Sequence, residues 1–380
     1  MRIFILGGGF GGLQAATTLR ALLPHEHDIT VIDRNAKFVM GLNKPLIMVG
    51  KKKPMEIEKD RARLNPHLIQ FVDWDVHTID YQNRTLLVGT QMTHFDYLVL
   101  ALGAELAPET IPGFSVGAVN VYTVSGAEEF FLRLQAVEKG PVVILASRMP
   151  FKCPPAPYEM AMLVKDYLNG QGKENIPVHV YTPEPFPLPV AGKGVGDIVT
   201  DLCSDRDVKI FNGHSVAKID PNTKVIEFTN GRKGHYELLG GIPPHVAPPI
   251  LEDSGLLGKS GWVKVDLKTF KTSIDRVWAM GDAVSIPIAG DKALPKAGLF
   301  AEKEGDVVAH HIAAEITGMP SDLTFDGKGE CYMEVGGGEG VKVSGDFFAD
   351  PPIVQLSAPS KDVLVEKKRF ESERLERWLT

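Results

Sequence analysis

The run Arg2-Ile3-Phe4-Ile5-Leu6-Gly7-Gly8-Gly9-Phe10-Gly11-Gly12 decides the fold of this chain. A stretch of strand character leads without a break into a G-x-G-x-x-G turn. Leu13 to Leu23 then reads as a helix, with Ala15, Ala16 and Leu19 small or apolar. A continuous apolar strand of this kind is buried on both faces, as in a parallel sheet. Gly7 permits the tight turn, Gly9 lets the backbone approach a pyrophosphate, and Gly12 allows close helix–strand packing, with Gly11 in the same loop. The helix N-terminus then faces phosphate charge. The next strand, Asp28-Ile29-Thr30-Val31-Ile32-Asp33, ends in an acid placed to accept hydrogen bonds from an adenosine ribose. Strand, glycines, helix, strand and terminal acid together predict an α/β unit that holds a dinucleotide.

The C-terminal half says which dinucleotide. Thr272 to Asp282 is a short strand ending in Gly281-Asp282. In flavoproteins of this layout such a strand returns to the first domain, and its aspartate meets the ribityl or phosphate region of FAD. Asp96 to Ala104, with Gly103 near its end, reads as the matching crossover strand. Signatures at both ends of the chain imply a split domain with another inserted. The expected fold class is therefore α/β, two tandem Rossmann-like domains of the flavin disulfide reductase type plus a small C-terminal region. The FAD-binding domain is expected at 1–111 and 241–325, the second Rossmann-like domain at 112–240, and the C-terminal region at 326–380.

The inserted domain lacks what a second nucleotide needs. Strand 142–146 is followed not by glycines but by Ser147-Arg148-Met149-Pro150-Phe151-Lys152-Cys153-Pro154-Pro155-Ala156-Pro157-Tyr158-Glu159. A helix is expected from Tyr158 to Leu168, with Gly170 past its end. Strand Val178–Thr182 follows, and Glu184 alone is weak support for a second ribose. NAD(P)H use is disfavoured. Lys152 and the helix dipole are expected to lower the Cys153 pKa, and Glu159 to relay a proton. Cys331 lies in a strand-like stretch, Gly329 to Val335; Cys203 sits in an apparent helix and reads as packing.

Bulk properties set further bounds. The chain has 380 residues, is 44% hydrophobic and carries a net charge of −7, which disfavours nucleic acid as a partner. No run of about 20 apolar residues suggests a membrane span, and no signal peptide is visible. The expected location is the cytoplasm or the inner face of the cell membrane. Three cysteines, Cys153, Cys203 and Cys331, are too few for a disulfide scaffold. The histidines show no metal-ligand pattern.

The segments Gly7–Gly12, Asp33, Phe151 to Glu159, Trp278 to Asp282, Pro295 to Glu302 and Gly329 to Tyr332 together resemble the sulfide:quinone oxidoreductase and flavocytochrome c sulfide dehydrogenase family. The resemblance spans nearly the whole chain. Its specific part is Cys-Pro-Pro-x-Pro-Tyr-Glu with a distant Cys-Tyr. It implies a redox pair, Cys153 and Cys331, on one side of the flavin ring. It also implies an acid, Glu159, that moves protons, and a lysine, Lys296, near the ring. Sulfide or a related sulfur species would be the substrate, and a quinone or a cytochrome partner the acceptor. The chain departs from the family in having no cysteine from 1 to 152. A third catalytic thiol is absent, and with no early anchor FAD should be noncovalent.

The C-terminal stretch Lys361 to Thr380 reads as a helix with Phe370, Arg374, Leu375, Trp378 and Leu379 toward one side. That stripe has three destinations: a lipid headgroup layer, the protein's own body, or a second subunit. Two other functional readings stand beside sulfide oxidation. An NADH:quinone dehydrogenase shares the architecture but should carry glycines after strand 142–146. A flavoprotein subunit would need a cytochrome partner to turn over.

Overall fold

The computed structural model describes residues 1–380. Ile3, Ile5 and Leu6 are fully buried because strand Arg2–Leu6 lies at the centre of a five-stranded sheet. Its order is Val277–Ala279, Tyr97–Leu100, Arg2–Leu6, Asp28–Ile32, Gln70–Val72, and every pairing is parallel. Trp278 sits opposite Val99 in this register, so a strand from late in the chain completes a sheet begun at the N-terminus. A second parallel sheet has the order Val119–Asn120, Leu238–Ile242, Val142–Ala146, Val178–Tyr181, Val208–Phe211. It runs to Ile242 rather than stopping at 240. Two Rossmann-type sheets in tandem are the fold class expected from the glycine loop and the returning strand.

The helix after Val142–Ala146 runs from Ala156 to Gly170, a turn longer than expected. Pro157 in its first turn is already in helical φ, and Gly170 is absorbed into the last turn. Gly172, at φ +71°, follows the helix end instead.

Helices Phe10–Leu22 and Gly298–Thr317 cross in backbone contact beneath the glycine loop. A Cβ on Gly305 would stand 2.6 Å from the Gly11 carbonyl oxygen, so only a bare backbone allows this approach. Gln14 and Thr18 both donate to Asp306 across the crossing, at 2.8 and 2.6 Å.

The C-terminal region is an antiparallel sheet, Lys328–Gly336, Glu339–Asp346 and Ile353–Leu356, followed by helix Lys361–Leu379. Ser360 caps that helix by accepting from the Asp362 N–H at 3.0 Å. Its stripe turns inward. Trp378 and Leu379 are buried, and the Trp378 ring packs between Phe10 and Phe38 at 5.3 and 5.9 Å. The indole N–H donates to Gln14 Oε1 at 2.7 Å. Of the three destinations for the stripe, these side chains take the protein's own body. No helix is long and apolar enough to cross a membrane.

Candidate active site

Strand Val142–Ala146 delivers the chain into the loop that carries Cys153. Ser147 Oγ donates to Ile242 O at 2.6 Å, and the Arg148 guanidinium is hydrogen-bonded to the Val216 carbonyl. Tyr122 OH donates to Lys152 O at 2.6 Å. Cys153 itself has φ +56°, a conformation that L residues adopt only where the surroundings hold them. Its N–H donates to Lys296 O at 2.7 Å, and its carbonyl accepts from Ala156 N–H at 2.9 Å. Cys331 projects from strand Lys328–Gly336, in register with Val343.

The two thiols, both free, stand in the walls of the same two cavities, and each acts on the other's proton. In such a pair the first proton leaves more easily than from an isolated thiol and the second less easily. Cys153 lowers Cys331, while Cys331 and then burial push Cys153 well up. This corrects the expectation that Lys152 and the helix dipole would lower Cys153. Pro154, Pro155 and Pro157 strip N–H donors from the start of the helix, so it presents little positive charge. The cation that acts on Cys153 is Lys44, from the first domain.

The cysteines stand between two cavities. One, of about 1020 Å³, begins at Gly9, Arg34 and Asn35 and passes Asp282 and Lys296 to reach Cys153 and Cys331. The other, of about 480 Å³, is mainly apolar and includes Leu188, Val190, Trp262, Leu294, Phe300 and Phe347 in its lining. Both have Cys153, Cys331, Lys296 and Glu330 in their walls.

Glu159 is buried. It accepts from Glu334 N–H at 3.0 Å and meets Lys367 Nζ at 3.6 Å. Burial raises it to about 7 against the pull of Lys367. Burial works against the Lys367 ammonium too, but Glu159 and Glu334 hold it above the ordinary lysine range. Lys296 gives Nζ to Asp282 O and Val284 O, at 2.6 and 3.0 Å, and lies 3.5 Å over the Trp262 ring centroid. Burial lowers it to about 8. Gly281 has φ +70° and donates its N–H to Glu304 Oε2 at 2.6 Å; burial raises Glu304 to about 7. Gly103, at φ +70°, closes the crossover after Tyr97–Leu100.

Asp33 is drawn into the glycine loop. Oδ2 accepts from Gly8 N–H at 2.8 Å and meets Arg61 at 3.3 Å, and Oδ1 accepts from Asn35 N–H at 2.9 Å. Arg34 and Asn35, not Asp33, border the cavity there. Cys203 is fully buried in helix Lys193–Ser204, away from both cavities, as packing required.

Residues 1–147 match the family model for pyridine nucleotide-disulphide oxidoreductases. Residues 130–182, which carry the cysteine loop, match that for the central part of the sulfide dehydrogenase [flavocytochrome c] flavoprotein chain. The mitochondrial sulfide:quinone oxidoreductase of Mus musculus is 22% identical over 365 residues, covering 92% of this chain and 79% of that protein. The sulfide-quinone reductase of Aquifex aeolicus is 24% identical over 367 residues, covering 92% and 84%. The X-ray structure of the sulfide:quinone oxidoreductase from Aquifex aeolicus superposes with a TM-score of 0.87 at 23% identity, over 98% of this chain and 90% of that one.

Over nearly its whole length the chain is similar to sulfide:quinone oxidoreductases, and its cysteine loop to the sulfide dehydrogenase flavoprotein chain. It is an FAD-dependent oxidoreductase that binds its flavin noncovalently. The larger cavity fits the cofactor. A Cβ on Gly9 would meet nothing within 4 Å, so this loop residue faces open space. The helix it precedes has no side-chain cap, which leaves its first N–H groups for phosphate. The helix after Val142–Ala146 offers no such cradle to a second dinucleotide, because the prolines remove the donors and Glu159 adds a carboxylate to the same first turn.

The sequence reading missed Lys44, Tyr122, Glu304 and Lys367. Only Lys367 left a signal: it lies three residues before Phe370, on the side of the helix that turns inward.

Proposed function

We propose that this flavoenzyme oxidises sulfide, or a related persulfide or thiol, through Cys153 and Cys331 and delivers the electrons to a quinone. The observation that carries the reading is the pairing of these two thiols, from distant parts of the chain, in the wall of the flavin cavity. Hydrosulfide attacks the disulfide form of the pair, so that one sulfur becomes a persulfide and the other leaves as a thiolate. Cys331, lowered by its partner, is the leaving thiolate. Glu159, at about 7, takes up the proton that the incoming sulfur gives up. Bound FAD supplies a two-electron sink that can discharge to a quinone or, in a partnered complex, to a cytochrome. Gly7, Gly9, Gly11, Gly12 and Asp282 line or shape its cradle, Asp33 braces the loop, and Lys296 supplies charge near the ring. Gly103 and Gly281 turn the backbone at the two strand ends beside it.

The apolar lining of the second cavity gives neutral or weakly solvated sulfur species a route to the cysteines from the side away from the glycine loop. The NADH reading has the architecture in its favour and the proline-stripped helix start against it.

Anaerobic sulfide should bleach the visible absorbance of the bound flavin, and NADH should not. Cys153→Ser should keep its flavin and lose the bleaching by sulfide. A fully active serine variant would sink the cysteine route, and bleaching by NADH alone would move the protein to the dehydrogenase reading.

A further inference from the structure

Cys153 stands in the left-handed region, at φ +56°, although Pro154 follows it. Both facts work against the conformation. A residue with a side chain is strained at positive φ, and a residue before proline is pushed toward extended backbone. The structure keeps Cys153 there by gripping one peptide unit at both ends. The carbonyl of the Lys152–Cys153 peptide accepts from Tyr122 OH at 2.6 Å, and the N–H of the same peptide donates to Lys296 O at 2.7 Å. The next carbonyl, that of Cys153, accepts from Ala156 N–H at 2.9 Å. With the plane of the gripped peptide fixed, rotation about the Cys153 N–Cα bond alone decides where Cβ points. Relaxing to an ordinary φ of about −60° would swing Cβ by roughly 120°. That swing would carry the sulfur off the cavity walls it shares with Cys331.

Of these partners only Tyr122 acts through its side chain, and its phenol is set in place from every side. The ring is buried and meets the His245 ring edge to face at 5.4 Å. Its N–H donates to Asn120 Oδ1 at 3.1 Å, and its carbonyl accepts from Lys44 Nζ at 2.6 Å. Val121 N–H donates to Gly241 O at 3.2 Å, so the segment hangs from the second parallel sheet. Lys296 grips from the other domain, its ammonium held on Asp282 O and Val284 O. We propose that Tyr122 is a positioning residue for the redox pair: its hydroxyl holds the Lys152–Cys153 peptide, keeps Cys153 left-handed, and so keeps the sulfur facing the space it shares with Cys331. The inference rests on the reading that Cys153 and Cys331 form a redox pair. Without the hydroxyl, Lys152 O loses its donor in a loop whose local preference is to straighten.

The test is the anaerobic thiol–disulfide equilibrium of the holoprotein in buffers of 2-mercaptoethanol and 2-hydroxyethyl disulfide, with each cysteine read by peptide mass. One 2-hydroxyethyl disulfide takes the two thiol hydrogens of Cys153 and Cys331, giving the protein disulfide and two molecules of 2-mercaptoethanol. Tyr122→Phe keeps the ring and both main-chain bonds. In it the pair should be about tenfold easier to reduce, because the Lys152 carbonyl is left without its donor. That fold-change is a rise of about 30 mV in the midpoint. In a Cys331→Ser background Cys153 can form only a mixed disulfide with the reagent, and Tyr122→Phe should leave that equilibrium unchanged. A residue that places the sulfur moves the first equilibrium and not the second. An unshifted pair in Tyr122→Phe overturns the inference, and so does an equal shift in both equilibria. Failure of the underlying reading shows in the natural protein instead: if its Cys153 and Cys331 form only mixed disulfides with the reagent, the pair falls and the clamp with it.

Discussion

Replacing Glu304 by glutamine should make the stability of this protein less sensitive to pH. Glu304 is buried in helix Gly298–Thr317, and its carboxylate accepts the Gly281 N–H at 2.6 Å. Burial lifts it from an ordinary 4.5 to about 7, Gly281 pulls it back, and Asp282 adds to the rise. Below about pH 4.5 the side chain is protonated in both the folded and the unfolded chain, so it contributes equally to each. Between about 4.5 and 7 the unfolded chain ionises first, and the folded state loses about 1.4 kcal/mol of relative stability for each pH unit. Above about pH 7 the deficit is constant at roughly 3 kcal/mol. Glutamine keeps an oxygen for Gly281 and has no proton to lose. The stability of Glu304→Gln relative to the natural protein should therefore improve by roughly 3 kcal/mol on going from pH 4.5 to above pH 7. Urea midpoints of both proteins, followed by flavin fluorescence across that range, read the difference. Two curves that stay parallel at every pH would show that the carboxyl titrates normally in the folded state, and the reasoning would fail.

Two further outcomes follow from the site. The rate of flavin reduction by sulfide should rise through about pH 7 as Glu159 ionises, and Glu159→Gln should lose that rise and be slower above it; an unaltered pH–rate profile in stopped-flow would remove Glu159 from the proton path. Gly12→Ala would place a Cβ 1.9 Å from the Gly7 carbonyl oxygen, so the loop must open. The purified variant should carry little flavin per chain, and a full complement would refute this account of the loop.

The parts of the molecule that were legible in its sequence are those whose cause is local. Arg2–Leu6, the glycines and Asp28–Ile32 declare themselves because strand burial and close backbone approach each demand particular residues at fixed spacing. Asp282 and the returning strand were legible for the same reason. The charges around the cysteines were not. Lys152 adjoins Cys153 in sequence, yet the cation that acts on the thiol is Lys44, brought there by packing between the first domain and the Tyr122 segment. Glu304 reads as an ordinary polar residue of a helix; its burial against the Gly281–Asp282 turn comes from the fold. Asp33 has the position of a ribose ligand, but Gly8, Asn35 and Arg61 claim its oxygens, and Arg61 comes from a segment with no motif. The cysteine pair itself was reached by resemblance, since no periodicity links a loop after one sheet to a strand of another.

The two sulfurs hang from different bodies, Cys153 from the loop leaving the second parallel sheet and Cys331 from the C-terminal antiparallel sheet. Chain-entropy arithmetic makes a bond across so long a loop worth about 5 kcal/mol against unfolding. A cycle that forms and breaks that bond therefore alternates between a stapled molecule and an unstapled one. Molecules stalled in the reduced state, starved of an electron acceptor, are then the fraction that proteases or heat remove first.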